Sequence, residues 1–113
     1  MDTGFLSVPF LLDVLYENGF KDLAYTVHFQ EKAQSWLYEV MQGATTIWEN
    51  WEAIRPDGTR TNASYNHFAF GCVGDFIYRR IGGLYPLTPG YDTVKIAPDT
   101  ALHLNLLKGS CCW

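Results

Sequence analysis

The chain has 113 residues, of which 48% are hydrophobic and 18% are charged, and its formal net charge is −4. This length is sufficient for one domain of ordinary size, and the apolar content excludes an intrinsically disordered chain. The acidic balance and the scattered lysines and arginines argue against a nucleic-acid-binding surface.

The N-terminal part of the chain has the periodicity of a helical hairpin. Apolar residues recur at helical spacing between Phe5 and Leu15, with Thr3 as a candidate N-cap and Pro9 near the start of the regular helix. The pair Asn18-Gly19 predicts the end of this helix, because glycine readily adopts the left-handed C-terminal cap. We expect the second helix, from about residue 21 to 33, to run antiparallel to the first because the link is short.

A third apolar segment, residues 35–41, ends at Gly43 and is followed by a predicted exposed loop over residues 55–65. That loop contains the turn sequence Arg55-Pro56-Asp57-Gly58. Beyond it, apolar residues at helical spacing predict a longer helix from about residue 66 to 82.

The predicted helix over residues 66–82 contains Gly71 and Gly74, which lower helix propensity. We expect close backbone approach by a neighbouring helix or a ligand to compensate for them, with helix packing favoured. Alternating residues over 92–97 and 102–106 then predict two strands.

A carboxylate between two indoles stands out in the middle of the chain. Residues 43–51 read Gly-Ala-Thr-Thr-Ile-Trp-Glu-Asn-Trp, which places Glu49 between Trp48 and Trp51. Indole faces pack against the C–H faces of sugars, and a carboxylate can activate water or bind hydroxyl groups. Taken alone, the indoles are equally explained by an aromatic core, and Glu49 is better explained as a surface or capping carboxylate.

The three cysteines, Cys72, Cys111 and Cys112, are odd in number and lack the spacing of a metal site. We expect no metal, no cofactor and no disulfide framework, and hence a reducing compartment. The sequence has neither a signal-peptide pattern at its N-terminus nor an apolar run long enough to span a membrane. The predicted location is therefore cytoplasmic, without a membrane partner.

Five separated blocks of the sequence occur in the order found in one family of glycosidases. They are Thr3-Gly4-Phe5 to Glu17-Asn18-Gly19, Ser35-Trp36-Leu37-Tyr38, Gly43 to Glu49, Asn66-His67-Phe68-Ala69-Phe70-Gly71, and Pro89-Gly90-Tyr91 with Val94 to Pro98. Over residues 2 to about 98, the chain resembles the late part of bacterial α-L-rhamnosidases, inverting glycoside hydrolases built on an (α/α)6 toroid.

The resemblance implies a mainly α fold. Residues 1–88 would form the last helical hairpins of the toroid, in the C-terminal part of the catalytic domain. Residues 89–113 would form the truncated start of a C-terminal β-sandwich domain. The tail from Leu102 to Trp113 departs from the family, and its ending, Lys108 to Trp113, suggests a truncation or an altered reading frame.

The resemblance also implies the chemistry. Glu49 matches the general base, which deprotonates the water that attacks the anomeric carbon, and His67 matches a histidine that hydrogen-bonds the sugar. Trp48 and Trp51 would shape the pocket wall, which we infer from the indoles themselves. Where the family often has Arg and Asp around the second tryptophan, this chain has Asn50 and Glu52.

The expected function is hydrolysis of terminal α-L-rhamnosyl bonds with inversion, on a rhamnose-containing saccharide or glycoside. Inversion needs a carboxylate base and a carboxylic acid about 6.5–9.5 Å apart, and the family's general-acid segment is upstream of these blocks. We therefore expect the isolated chain to be an inactive fragment, whose exposed toroid faces favour homo-oligomers. The alternatives are a non-catalytic sugar- or protein-binding helical module and a truncated product without a function of its own.

Overall fold

A computed structural model describes residues 4–102, and the regular elements in this range are mostly short helices. In chain order they are α1 (Val8–Glu17), α2 (Lys21–Phe29), α3 (Trp36–Met41), a 3-10 turn (Ala69–Cys72), α4 (Val73–Phe76), a π-helical turn (Ile77–Ile81), β1 (Leu84–Pro86), a second 3-10 turn (Pro89–Tyr91) and β2 (Val94–Ile96). The mainly helical character predicted from the sequence is confirmed.

Three predicted features lie outside the described residues, wholly or almost so. They are Thr3 as a helix cap, the strand over residues 102–106, and the pair Cys111 and Cys112. The chain divides by its internal contacts into two compact units, Met1–Cys72 and Val73–Trp113. The domain boundary between residues 88 and 89 stays a prediction.

Helices α1 and α2 pack as the predicted hairpin. Pro9 lies in the first turn of α1, where its missing N–H removes no intrahelical bond. The helix ends at Asn18 and Gly19, with Gly19 at φ +86° and the Phe20 N–H donating to the Leu15 carbonyl at 2.9 Å. This is the glycine-capped end that the sequence predicted.

Helix α2 is four residues shorter than predicted, because Gln30 turns into the extended region at ψ 140°. The turn that follows is held by Ser35, whose buried hydroxyl donates to the Gln30 carbonyl at 2.7 Å. The same oxygen accepts the Tyr38 N–H at 3.2 Å and so caps α3. One serine therefore both closes the connection and starts the helix that leads to Gly43.

The loop over residues 55–65 is confirmed as an irregular, largely exposed segment. Its tip is a tight turn in which the Gly58 N–H donates to the Arg55 carbonyl at 2.8 Å and Gly58 has φ +82°. The Asp57 carboxylate accepts the Thr59 N–H at 2.8 Å, which fixes the turn further. A single β-bridge between Ile54 and Arg60 closes the base of the loop tip.

The buried side chains of the first unit are largely aromatic. The Trp36 indole N–H donates to the Phe70 carbonyl at 2.8 Å, across 34 residues of sequence. Trp51 stacks on the Phe70 ring at 3.8 Å and meets the Trp36 ring edge-on at 5.0 Å. The aromatic-core interpretation of the sequence therefore applies to these rings.

The predicted helix over residues 66–82 begins later and is irregular. It starts at Ala69 as a 3-10 turn, becomes α-helical from Val73 to Phe76, and ends in a π-helical turn whose Gly82 N–H reaches the Ile77 carbonyl at 2.7 Å. The expected close packing at Gly71 and Gly74 is wrong for the described residues, since an added Cβ at either meets nothing within 4 Å.

The strand predicted over residues 92–97 is present as β2, and its antiparallel partner β1 was not predicted. Leu84 faces Ile96, and Pro86 faces Val94. Gly83, at φ +68°, lies so close to Ala97 that an added Cβ would come within 2.0 Å of its backbone. A close backbone approach thus occurs at a glycine just after the helix rather than within it.

Candidate functional site

The segment that carries Glu49 leaves α3 through Gly43, which has φ +81°. The Gly43 N–H donates to the Val40 carbonyl at 2.9 Å, and the Ala44 N–H donates to the Glu39 carbonyl at 3.0 Å. A residue with a side chain is strained at this φ, so glycine directs the chain out of the helix here. Residues 44–49 follow as irregular backbone with no helix or strand of their own.

Glu39 holds the middle of this segment and was missed by the sequence analysis. Its side chain is 1% exposed, and Oε2 accepts the Trp48 backbone N–H at 3.2 Å. Burial raises the pKa of Glu39 to about 7, and the Trp48 N–H opposes the rise only in part. The available signal was that Glu39 is the one charged residue in the otherwise apolar and neutral run over residues 35–41.

Glu49 is half-buried and is held on two sides by Ser64. The Glu49 N–H donates to the Ser64 carbonyl at 2.9 Å, and Glu49 Oε2 accepts the Ser64 N–H at 2.8 Å. The backbone N–H fixes one oxygen of the carboxylate, which orients the whole side chain.

His67 lies on the segment that pairs with the one carrying Glu49. Its N–H donates to the Ile47 carbonyl at 2.8 Å, and the Thr46 hydroxyl donates to the Tyr65 carbonyl. Together with the Glu49–Ser64 pair, these bonds join residues 46–49 to residues 64–67. The structure therefore brings the backbone positions of two predicted site residues onto adjacent, hydrogen-bonded segments.

The ring of His67 is oriented by its own surroundings. Nδ1 accepts the Ala69 N–H at 3.3 Å, and the ring stacks between Phe5 at 5.3 Å and Phe68 at 5.0 Å. Because Nδ1 accepts a bond in this arrangement, the neutral ring carries its proton on Nε2. Nε2–H is then the hydrogen-bond donor of the neutral ring.

Both predicted pocket indoles are buried. Trp48 is 2% exposed and meets the ring of Tyr65 edge-on at 5.9 Å, while Trp51 is 8% exposed and stacks on Phe70. The indole nitrogen of Trp51 is buried and has no hydrogen-bond partner among the described residues. Contact of either indole with a sugar stays a prediction. The structure shows that the two tryptophans on either side of Glu49 in the sequence both pack against other aromatic rings.

Two further buried ionisable groups in this unit have shifted pKa values. Burial lowers the pKa of His28, whose ring lies 5.8 Å from that of Trp36. Burial raises the pKa of Tyr38, with smaller contributions from the carboxylates of Glu52 and Asp57, and its hydroxyl donates to the Ile54 carbonyl at 2.8 Å.

Within the described range there is no group of three or more histidine, cysteine or acidic residues placed to hold a metal ion. Over residues 4–102, no helix is both long and apolar enough to cross a membrane.

Comparison with known proteins gives one consistent match. Residues 1–81 match the family described as the bacterial alpha-L-rhamnosidase six-hairpin glycosidase domain. An alpha-L-rhamnosidase of Streptomyces avermitilis is 44% identical over 101 residues, which cover 87% of this chain and 10% of that protein. An alpha-L-rhamnosidase of Formosa agariphila is 46% identical over 99 residues, which cover 85% of this chain and 11% of that protein.

A solved structure shows the same fold. The crystal structure of the Streptomyces avermitilis alpha-L-rhamnosidase complexed with L-rhamnose superimposes with a TM-score of 0.80 at 42% identity, over 88% of this chain and 10% of that one. The chain therefore spans about a tenth of the length of the curated relatives that it matches.

Proposed function

This chain belongs to the family of bacterial α-L-rhamnosidase six-hairpin glycosidase domains, and we propose that it is the segment of such an enzyme that supplies the general base. The reaction is hydrolysis of terminal α-L-rhamnosyl bonds with inversion, on a rhamnose-containing saccharide or glycoside. The helices form the last hairpins of the (α/α)6 toroid, and the chain from about residue 89 starts a β-sandwich.

The observation that carries this proposal is the pairing of the Glu49 and His67 segments. The Ser64 N–H holds Glu49 Oε2 at 2.8 Å, and the His67 N–H holds the Ile47 carbonyl at 2.8 Å. An oriented carboxylate next to a segment with an Nε2–H donor suits a base that must address a water beside a bound sugar. Glu49 takes the proton of that water, while His67 donates to a sugar hydroxyl.

Trp48 and Trp51 act in this proposal as the wall behind the site. Because both indoles are almost fully buried, they shape the pocket by fixing the backbone on either side of Glu49. Neither residue needs a large exposed face for that purpose. The contribution of each is therefore expected in stability as well as in sugar affinity.

A single carboxylate base does not complete an inverting site. The mechanism needs a carboxylic acid that protonates the leaving oxygen at a distance of about 6.5–9.5 Å from the base. By the family resemblance that acid belongs to a segment outside the five blocks found here. We therefore expect the 113-residue chain to bind the sugar and to show little or no turnover.

An exposed apolar face on α1 favours the alternative of a non-catalytic binding module, or of self-association. Phe10 and Val14 lie four residues apart on α1 and are 66% and 53% exposed, and Leu6, in the turn before α1, is 90% exposed. Such a stripe is the face that a helix normally packs against a neighbour. The cytoplasmic location stays a prediction from the cysteine pattern.

The test combines hydrolysis of nitrophenyl α-L-rhamnoside with titration of L-rhamnose, on the wild-type chain, on Glu49→Ala and on Glu49→Gln. We expect no turnover, saturable binding by the wild type, and affinity weakened about tenfold or more in Glu49→Ala, because a charged hydrogen-bond partner is lost. Glu52→Gln is the matched control, since it removes a neighbouring exposed carboxylate and is expected to leave affinity unchanged.

The other outcomes separate the alternatives. Turnover that disappears in Glu49→Ala would mean that the chain itself assembles a site with a second carboxyl group. Rhamnose binding that is equal in the wild type and Glu49→Ala would favour the non-catalytic module. Absence of rhamnose binding by the folded wild type would overturn the sugar-site proposal for the isolated chain.

A further inference from the structure

Among the described residues, Glu39 is the acidic residue whose side chain is buried, and such burial is unusual for a carboxylate. It lies in the short helix α3 with 1% of its surface exposed, ahead of the segment that carries Glu49. Ionised side chains are rarely buried to this degree without a partner, because removing a charge from water is costly. Packing alone therefore does not explain a glutamate at this position.

Two bonds from Glu39 bracket the segment that leads to Glu49. Its backbone carbonyl accepts the Ala44 N–H at 3.0 Å, and its Oε2 accepts the Trp48 N–H at 3.2 Å. The first bond holds the beginning of this segment and the second holds the residue immediately before Glu49. One residue of α3 thus fixes both ends of residues 44–48.

The opposite side of Glu49 is fixed by Ser64, through the reciprocal pair of hydrogen bonds. The Glu49 backbone is consequently held at two places. The Trp48 N–H just before it donates to the Glu39 carboxylate, and its own N–H donates to the Ser64 carbonyl. A change at either support would shift the Glu49 side chain, since only one peptide unit separates Trp48 N–H from the Glu49 Cα. The second Glu39 oxygen, Oε1, has no hydrogen-bond partner among the described residues.

We propose that Glu39 is a positioning residue, which sets the direction of Glu49 by holding the Trp48 peptide. This inference rests on the proposed function, because it assigns Glu39 a role in presenting the general base. Glu39 touches neither substrate nor the reacting water in this proposal and acts only through the backbone. The Glu39 side chain places an oxygen acceptor within reach of the Trp48 N–H, which an apolar side chain at this buried position could not do.

The raised pKa of Glu39 provides the means of testing the contact. Burial sets that pKa at about 7, and no charged side chain contributes to the shift. The acceptor of the Trp48 N–H, the Glu39 carboxyl group, therefore changes from neutral to charged as the pH rises through this value. The backbone resonance of Trp48 should report the change directly.

The experiment uses the full chain, labelled with nitrogen-15 and assigned, in the wild type, Glu39→Gln and Glu39→Leu. Glutamine keeps an oxygen acceptor of the same reach but has no charge to titrate, whereas leucine removes the acceptor. We expect the Trp48 amide shift to titrate near pH 7 in the wild type and to stay flat in Glu39→Gln. In Glu39→Leu we expect its hydrogen exchange to accelerate about tenfold or more.

The Ser64 amide distinguishes positioning from a local structural role. Because that amide donates to Glu49 Oε2, it reports the direction of the candidate base. We expect its exchange to accelerate in Glu39→Leu and to be restored in Glu39→Gln. A Ser64 amide that is unchanged while the Trp48 amide responds would overturn the proposal, since Glu39 would then be only a cap on the Trp48 N–H.

Failure of this inference is distinguishable from failure of the proposed function. If the wild-type chain does not bind L-rhamnose, the sugar site fails while the two amides still decide whether Glu39 sets Glu49. If rhamnose binds and Glu39→Leu leaves both amides unchanged, the positioning role fails alone. If Glu39→Leu does not fold, a Trp48 titration that persists in Glu39→Gln, or is absent from the wild type, overturns the role.

Discussion

Glu49 and Ser64 form a reciprocal pair, in which each backbone N–H donates to the other residue: to the Ser64 carbonyl at 2.9 Å and to Glu49 Oε2 at 2.8 Å. The pair joins two segments 15 residues apart and orients the carboxylate that the sequence singled out. A loop that otherwise lacks regular structure thereby holds a charged side chain in one direction.

Replacing Ser64 by proline removes the N–H that holds Glu49 Oε2. We expect Ser64→Pro to weaken L-rhamnose affinity about tenfold, because a hydrogen bond to a charged group is lost. The control is Ser64→Ala, which keeps the N–H and loses only the two hydroxyl bonds with the Asn66 backbone. Isothermal titration of both variants checks the prediction, and equal affinities would contradict it.

Trp51 is expected to contribute mainly through packing. Trp51→Ala removes a ring that stacks on Phe70 at 3.8 Å, and we expect a loss of about 3–5 kcal/mol in the free energy of unfolding. Trp51→Phe keeps a stacked ring and should cost about 1–2 kcal/mol. Urea denaturation measures both losses.

The same pair of variants tests the direct sugar contact. Once Trp51→Phe is shown to be folded, its rhamnose affinity should equal that of the wild type if the indole acts only from behind the site. A marked loss of affinity in this folded variant would instead mean that the indole touches the sugar.

His67 should carry its proton on Nε2 when the ring is neutral. The reason is that Nδ1 accepts the Ala69 N–H at 3.3 Å and is therefore occupied as an acceptor. Nitrogen-15 shifts of the ring, measured on the chain without sugar, check this tautomer. A protonated Nδ1 would show that the Ala69 contact is not a hydrogen bond.

The stability of the chain should carry a contribution from Glu39 that falls as the pH rises. The pKa of Glu39 is about 7 in the fold against 4.5 for the free side chain, so the folded state binds the additional proton between these values. The contribution is complete below pH 4.5 and is lost as the pH rises through about 7. Since one pKa unit corresponds to about 1.4 kcal/mol, its size is roughly 3 kcal/mol.

Glu39→Gln isolates that contribution. Burial lowers the pKa of His28, so its contribution to stability depends on pH in the opposite direction: it is present above pH 6.5 and is lost as the pH falls. It is common to the wild type and the variant, so it cancels in their difference. Urea unfolding at several pH values should show the wild type losing stability relative to Glu39→Gln on passing to alkaline pH. A constant difference would exclude the raised pKa.

Two glycines of the second unit should respond in opposite directions to alanine. Gly83→Ala is expected to destabilise, because the new Cβ would meet the Ala97 backbone at 2.0 Å and φ is +68°. Gly74→Ala places its Cβ in open space within α4, and should stabilise by about 1 kcal/mol through helix propensity. Thermal unfolding compares the two, and a destabilised Gly74→Ala would restore the close packing first expected there.

Much of the local structure was predictable because it depends on neighbouring residues. The Asn18-Gly19 stop and the turn at Arg55 to Gly58 follow from the φ angles that glycine alone adopts readily. The end of α2 at Phe29 was not predictable in this way, since the chain turns there with the help of Ser35, six residues later. Strand β1 was missed because Leu84–Pro86 ends in a proline, follows two glycines and lacks the alternation of polar and apolar residues seen over residues 92–97.

The sequence by itself predicted a mainly helical fold through the spacing of its apolar residues, and its resemblance to one family implied both the family and the candidate base. Only the tertiary structure decided that Glu39 and Trp51 are buried and that Ser64 is the residue which orients Glu49. These relationships join positions far apart along the chain. Burial and hydrogen-bond partners of this kind arise from packing between segments, which the order of residues along one segment does not determine.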